Sequence, residues 1–494
     1  MSVSKLKNYL NGQWVDPPNA GWLDVENPST GEVIAQVPLS TAEAVDQAIE
    51  SAAEAFTGWS RTPVARRCER LFKLANLMQE QFEEVSRGVT EEMGKSLPDA
   101  RAEMKRALEN VEVACGMATL QQGDKLIGGA VDIDGEVLRV PVGVFGMIAP
   151  FNFPAMVPFW FMPYALAAGN TYVLKPSEVV PFSQQRIFEL IDRAGFPPGV
   201  VNMVNGDKVV GEALIANPKV KGVSSVGATA TARVIAEACA KQGKRCQAFG
   251  GAKNYLVVMP DAKIDQVIRN MLTSCYGCAG QRCMAASAIA CVGDATYQTV
   301  IDQFVAASKE VIVADPLDPA VADEPMVMGP VISAKSKQRI LDLIETGIKE
   351  GATLALDGRY ITIPSREAGH YLGPTVFTDV EPGMTIERTE IFGPVVVITK
   401  CNSLDHAISV LNSHHYGNGA SIYTQNGHYA RRFKLEVDYG MIGINIGIPA
   451  PVACLPFGGM KASCLADIKA QGKEIINFYT DRKIITERYW PEEE

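Results

Sequence analysis

The chain has 494 residues, 47% of them hydrophobic and 21% charged, and carries a net charge of −10 at neutral pH. That length accommodates roughly two to four domains around a large apolar core. An acidic balance with no basic block excludes the electrostatic footprint of a nucleic-acid or anionic-membrane binder and leaves small molecules as the expected partners.

The longest apolar stretch, Phe153 to Ala168, contains Pro154, Pro158 and Pro163 and is too short to span a bilayer. Eleven cysteines without recurring spacing read as reduced thiols, and Met1-Ser2-Val3-Ser4-Lys5 lacks the apolar core of a secretory signal. A cytoplasmic protein is expected.

Ser40-Thr41-Ala42-Glu43 reads as a capping box, after which Val45, Ala48, Ile49, Ala52, Ala53 and Phe56 recur at helical spacing. Residues 66 to 120 continue the pattern through Leu71, Leu74, Leu77 and Met78, then Met104, Leu108, Val111 and Ala114. Asp134-Gly135, between Val131-Asp132-Ile133 and Val137 to Val140, predicts a tight hairpin turn. From residue 142 onward, β-branched runs at 144–148, 171–174, 200–204, 255–259 and 288–292 alternate with helical segments, which is the rhythm of parallel α/β construction. The alternating tail from Phe478 to Trp490 reads as a strand free to pair with another chain.

Cys283 follows Arg282 where a long apolar-periodic segment gives way to a small-residue strand. Only a thiolate is a useful nucleophile, so a neighbouring cation and partial exposure suit a catalytic role, whereas most buried cysteines are simply small hydrophobes. Cys275-x2-Cys278-x4-Cys283 has no second cysteine pair or histidine at zinc spacing, so no metal is expected. A Cys-His hydrolase or acyltransferase lacks a recognisable base, because all five histidines lie between His370 and His428 without a triad signature.

Asn152, in Ala149-Pro150-Phe151-Asn152-Phe153-Pro154, is either an Asx turn or a fixed amide donor for an oxyanion. Lys175-Pro176-Ser177-Glu178 ends the next strand, where a parallel sheet meets its ligands, or is a surface turn. Gly206 and Gly211 are only a weak substitute for a dinucleotide fingerprint.

Taken together, Phe151-Asn152-Phe153-Pro154, Lys175-Pro176-Ser177-Glu178, Gly280-Gln281-Arg282-Cys283, Glu390-Ile391-Phe392-Gly393-Pro394 and Pro456-Phe457-Gly458-Gly459 occur in the order seen in the aldehyde dehydrogenase superfamily. Gly251-Ala252-Lys253-Asn254, Tyr416-Gly417-Asn418-Gly419 and Gln471-Gly472-Lys473 through Phe478-Tyr479-Thr480 resemble its CoA-acylating methylmalonate-semialdehyde (malonate-semialdehyde) dehydrogenase branch.

The resemblance implies an α/β fold in three parts. These are a Rossmann-type NAD-binding domain (1–121 and 143–248), an α/β catalytic domain (249–447) and a small β oligomerisation arm with bridging segments (122–142 and 448–494). A homodimer or homotetramer follows. Cys283 becomes the nucleophile, with Asn152 and the Cys283 N–H holding the alkoxide.

Similarity assigns Lys175 and Glu178 to the adenosine ribose of NAD, Glu390 to the nicotinamide ribose and Phe392 to packing beside it. Ala149, Phe151, Gly227 and Phe249 complete the implied cofactor site. Glu178 would repel a 2′-phosphate and so favours NAD over NADP.

Ser225-Val226-Gly227-Ala228 stands where relatives have Phe-Val-Gly-Ser, so one hydroxyl donor before a pyrophosphate-facing helix is lost. Phe249 occupies the place of the usual water-activating glutamate; since phenylalanine accepts no proton, a thiol such as coenzyme A is expected to resolve the thioester. Core packing by Phe249, with another carboxylate activating water, is the alternative and would make a hydrolytic NAD-dependent enzyme. Arg106 and Arg282 match the arginines attributed to the substrate carboxylate. Arg282 could equally lower the Cys283 pKa, and Arg106 read by itself is a solvated helix charge. Cys464-Leu465-Ala466-Asp467 replaces the usual aromatic residues and glycine near the aldehyde channel, which bears on the choice of semialdehyde.

Overall fold

The computed structural model describes residues 3–490. Its first large sheet has eight strands in the order Cys464–Leu465, Arg245–Phe249, Val220–Val226, Val144–Ile148, Thr171–Lys175, Val201–Met203, Asn8–Leu10, Gln13–Val15. The five from Arg245–Phe249 to Val201–Met203 are parallel, Cys464–Leu465 and Asn8–Leu10 flank them antiparallel, and Gln13–Val15 turns back against Asn8–Leu10. A second sheet of seven strands runs Thr353–Leu356, Thr375–Thr378, Val395–Cys401, Ala286–Val292, Asn254–Val258, Gly419–Tyr423, Met441–Ile444, with only the first antiparallel. Near-continuous apolar strands such as Val395–Cys401 fit a parallel sheet buried on both faces. Each sheet is the centre of its own large core.

The connectivity places the chemistry. Segments 149–154, 176–178, 227–229 and 250–253 all follow strands of the first sheet, at its carboxyl edge. Segments 280–285, 390–394 and 416–418 all precede strands of the second, at its amino edge. Contacts such as Asn152 to Gln281 and Ala252 to Glu390 join the two edges into one site.

Helices α1 (Ala42–Trp59), α2 (Val64–Glu80), α3 (Phe82–Met93) and α4 (Leu97–Cys115) account for the predicted helical quarter. The capping box does not form. The helix starts one residue later than that spacing requires, with Thr41 as N-cap but its hydroxyl unpartnered, while the Ser40 hydroxyl accepts from Asn8 at 3.0 Å. The short break between α3 and α4 is written in Gly94-Lys95-Ser96. Gly94 ends α3 at φ 83°, a left-handed conformation that glycine adopts without cost, and the Ser96 hydroxyl caps α4 by accepting from Asp99 N–H at 3.2 Å. Lys95 between them is thrown into the interior and is 1% exposed.

The hairpin exists, with its turn moved from 134–135 to 131–132. Asp132 takes the positive φ of 57°, which a short polar side chain tolerates, and Asp134-Gly135 lies inside the strand Ile133–Pro141. The tail forms Thr480–Arg488, pairs along its length with Ile133–Pro141 of the same chain, and stands at the edge of the sheet with its other side unpaired among the described residues. The result is a three-stranded antiparallel sheet. Among the described residues no helix is long and apolar enough to cross a membrane.

Candidate active site

Cys283 sits in the turn that delivers Ala286–Val292. Its carbonyl accepts from the side-chain amides of Asn254 and Asn418, each at 2.8 Å. Gly280, at φ 72°, lies so close to the Gly393 carbonyl that no Cβ would fit. Burial, with the Glu390 carboxylate adding to it, pushes the Cys283 thiol up to about 12; Arg282 and the N–H groups of Cys283 and Met284 pull the other way and lose. Burial therefore favours the protonated thiol, although the cation expected from the sequence is its chain neighbour.

Arg282 spends its donors within the chain. It pairs with Asp99, its Nε points at Cys278 Sγ at 3.3 Å, and a longer contact reaches the Thr273 carbonyl at 3.5 Å. Burial would raise the Asp99 carboxyl, but Arg282 and Lys95 overcome it and hold the group below the usual range. Cys278 N–H also donates to Asp99 at 3.1 Å, so Asp99 secures the segment immediately before the thiol.

Asn152 is buried, and its Nδ2 donates to the Gln281 carbonyl at 3.0 Å. Its own carbonyl accepts from Lys95 Nζ at 2.6 Å, and Lys95 is paired with Glu103 at 2.5 Å. Asp99, Glu103, Arg106 and Asn110 recur along α4 at helical spacing and form one polar stripe. Arg106 lies on that stripe, pairs with Glu109 at 2.6 Å, and is 42% exposed.

Phe249 ends Arg245–Phe249 and is buried in the same apolar cluster as Trp160, Phe161, Met284 and Phe457, with Cys283 packed against it. Its ring centroid lies 6.0 Å from that of Phe161. Just beyond it, a Cβ on Gly251 would come within 2.5 Å of Glu390 Oε2, so only glycine allows that carboxylate so near. Glu390 Oε1 accepts from Ala252 N–H at 2.9 Å, and burial pushes its carboxyl up to about 7 against that bond. Lys253, fully buried, donates to the carbonyls of Ile386 (2.7 Å) and Thr389 (3.1 Å) and so fixes the turn carrying Glu390.

Phe392 holds a left-handed φ of 56°, rare for a bulky residue, and packs edge-on to Phe151 at 5.8 Å. Lys175 and Glu178 pair at 2.7 Å, while Ala149 N–H donates to the Lys175 carbonyl at 3.0 Å. In front of the helix Thr229–Lys241, Gly227 faces open space and the N-cap Ala228 offers no side-chain bond. The nearby Ser225 hydroxyl is buried without a partner. An uncapped helix N-terminus with an orphan hydroxyl suits a diphosphate.

The structure thus gathers Cys283, Asn152, Phe249, Arg282 and Glu390, while Arg106 meets none of them directly. Lys95, Asp99 and Glu103 carry no local sequence signal. Lys253, Asn254 and Asn418 lay within motifs whose individual roles sequence reasoning left open.

The aldehyde dehydrogenase family model matches residues 14–485. This chain belongs to the aldehyde dehydrogenase family. It is an oxidoreductase acting on aldehydes. It is 43% identical over 494 residues to malonate-semialdehyde dehydrogenase 1 of Geobacillus kaustophilus (strain HTA426), covering 99% of this chain and 100% of that one. A Sinorhizobium meliloti 1021 structure assigned as a methylmalonate-semialdehyde dehydrogenase, complexed with NAD, superposes with TM-score 0.96 at 38% identity, covering 100% of this chain and 99% of the other. Methylmalonate-semialdehyde dehydrogenase from Oceanimonas doudoroffii gives TM-score 0.96 at 39% identity, covering 99% of each chain.

Proposed function

We propose that this aldehyde dehydrogenase oxidises malonate or methylmalonate semialdehyde with NAD and coenzyme A, yielding acetyl-CoA or propionyl-CoA and carbon dioxide. The observation that carries this is Phe249: the strand end in the apolar cluster against which the thiol packs presents an aromatic ring, which cannot activate water. The names of the Geobacillus, Sinorhizobium and Oceanimonas relatives support the same substrate class.

Cys283 Sγ loses its proton to solvent water and bonds to the aldehyde carbon, and the second N–H of the Asn152 amide, with the Cys283 N–H, holds the alkoxide. NAD, when bound, supplies the hydride acceptor. Lys175 and Glu178 would hold its adenosine ribose, Glu390 its nicotinamide ribose and Gly227 its diphosphate, with Ala149, Phe151, Phe249 and Phe392 packing along it. Collapse of the alkoxide with loss of hydride leaves a thioester on Cys283. The sulfur of coenzyme A then attacks that carbonyl and Cys283 leaves as a thiolate, while the substrate carboxylate departs as carbon dioxide and the electron pair of the broken C–C bond takes a proton from solvent at the α-carbon. Arg106 and Arg282 receive that carboxylate beforehand, Arg282 exchanging part of its contact with Asp99 for it.

Hydrolysis is the second reading, and Glu390 is the observation behind it, since its charge acts on Cys283 and burial has moved its carboxyl to about 7. NADH formation from the semialdehyde with and without coenzyme A, with product masses, separates the two. A strict requirement for coenzyme A with a thioester product is expected; equal rates and a free acid would refute it.

The eight-stranded and seven-stranded sheets correspond in this reading to the cofactor and catalytic domains, and the three-stranded sheet to the oligomerisation arm. Leu126, Ile127, Val131, Ile484 and Trp490 are exposed on that arm, which suits a homodimer or homotetramer. Eleven unbridged cysteines suit a cytoplasmic setting.

A further inference from the structure

An amide donor lowers a barrier only if it is fixed before the charge develops, and a shift of about 1 Å is enough to lose much of the effect. Asn152 lies in an irregular segment between Val144–Ile148 and the short turn Val157–Trp160, so regular hydrogen bonding does not fix it. A single ion pair holds that segment from both ends. Lys95 Nζ donates to the Asn152 carbonyl at 2.6 Å and lies 3.8 Å from the centroid of the Phe153 ring. Its partner Glu103 accepts the N–H groups of Ala155 and Met156 at 2.7 and 3.0 Å. Both charged side chains are 0% exposed.

Such a pair is weak as a source of stability. Desolvating two charges offsets their attraction, and apolar side chains of similar volume often serve the fold as well or better. What an apolar pair could not do is bond the carbonyl of Asn152 and two N–H groups three and four residues later. Glu103 also sits on the same α4 stripe as Asp99, which secures the loop carrying Cys283, and Lys95 directly precedes that helix, so one rigid helix references both alkoxide donors.

We propose that Lys95 and Glu103 are positioning residues for catalysis: together they hold Asn152 where its amide meets the developing alkoxide. The proposal rests on the reading of Asn152 as an alkoxide donor.

The test uses the full chain and rapid mixing with saturating NAD and semialdehyde without coenzyme A, following the first turnover of NADH. The variants are Lys95→Met/Glu103→Leu, Glu103→Gln and Asn152→Ala, alone and combined. In the Lys95→Met/Glu103→Leu protein, the Kd for NAD and the rate of Cys283 alkylation by iodoacetamide should stay within about twofold of wild type, while the first-turnover rate falls about 10²- to 10³-fold, the range for losing an oxyanion donor. In an Asn152→Ala background the same changes should add less than about threefold, because residues acting as one unit are not additive.

A first-turnover rate undiminished in the double variant, or reduced by the same factor with Asn152 already gone, would overturn the proposal. If the double variant fails to fold, Glu103→Gln decides. It keeps the shape and removes the charge, so a loss of about tenfold that disappears in the Asn152→Ala background supports the role; no loss, or an additive one, overturns it. A full rate in Asn152→Ala alone would instead overturn the reading of Asn152, and the positioning role with it.

Discussion

Phe249 and Cys464 stand directly opposite one another where Arg245–Phe249 pairs antiparallel with Cys464–Leu465, so both side chains project from the same face of the sheet edge. Both belong to, or pack on, the apolar cluster that also receives Cys283. A thiol and an aromatic ring, rather than a carboxylate base, therefore occupy this pair of positions.

Phe249→Glu should restore that base. Free acid released without coenzyme A should rise at least about tenfold, within the range general-base catalysis supplies, while the melting temperature falls because a carboxylate has replaced a ring among Trp160, Phe161 and Phe457. Product analysis by mass spectrometry checks the first and calorimetry the second. An unchanged acid yield in a folded variant would show that hydrolysis was never limited at this position.

Cys283→Ala should abolish turnover and leave NAD affinity within about twofold, because the thiol makes a covalent bond that no neighbour can replace. Isothermal titration with NAD beside an activity assay measures both. Residual turnover above about one thousandth of wild type would move the nucleophile elsewhere.

Arg106→Ala should raise KM for a carboxylated semialdehyde about tenfold or more and change KM for propanal by less than about threefold, since only the first substrate presents a carboxylate to the guanidinium fork. Arg106 is partly exposed and paired only with its helix neighbour Glu109, so its removal should leave stability nearly unchanged. Equal effects on the two substrates would assign Arg106 to the surface alone.

Glu92 gives a pH dependence that is independent of catalysis. Burial pushes its carboxyl up to about 7, although the N–H groups of Phe182 and Ser183 and the Ser183 hydroxyl donate to it and Arg186 lies near. Because the folded pKa exceeds the unfolded one, the folded state holds more protons between about pH 4.5 and 7, and stability is lost as pH rises through that window. Glu92→Gln should therefore melt progressively higher relative to wild type between pH 5 and pH 8. A difference in melting temperature that does not vary with pH, or narrows as pH rises, would contradict this.

Periodicity made the α/β rhythm and the long helices legible, since Val45, Ala48, Ile49 and Ala52 of α1, and Met104, Leu108, Val111 and Ala114 of α4, are all buried. Local turn chemistry was less informative. Asp134-Gly135 is a stronger turn signal than Val131-Asp132, yet pairing with Thr480–Arg488, far away in the chain, draws it into a strand.

Motif order singled out Cys283, Asn152 and Glu390, which the fold brings together, whereas the side chains that hold them were hidden by distance. Lys95 reaches Asn152 across 57 positions, and Asn418 reaches the Cys283 carbonyl across 135. No periodicity or short motif records a contact of that span. The helical pattern likewise gives no reason to single out Glu103 from the other acids of α4 until Lys95 is seen to be turned inward by Gly94.

The central claim is that the acylated enzyme waits for a sulfur acceptor, and intact-protein mass spectrometry tests it most directly. Wild-type enzyme mixed with NAD and semialdehyde alone should form about one NADH per active site and carry a persistent acyl group on Cys283, discharged as an acyl-CoA when coenzyme A is added. Repeated turnovers with free acid accumulating and no acyl group on Cys283, before any coenzyme A is added, would contradict it.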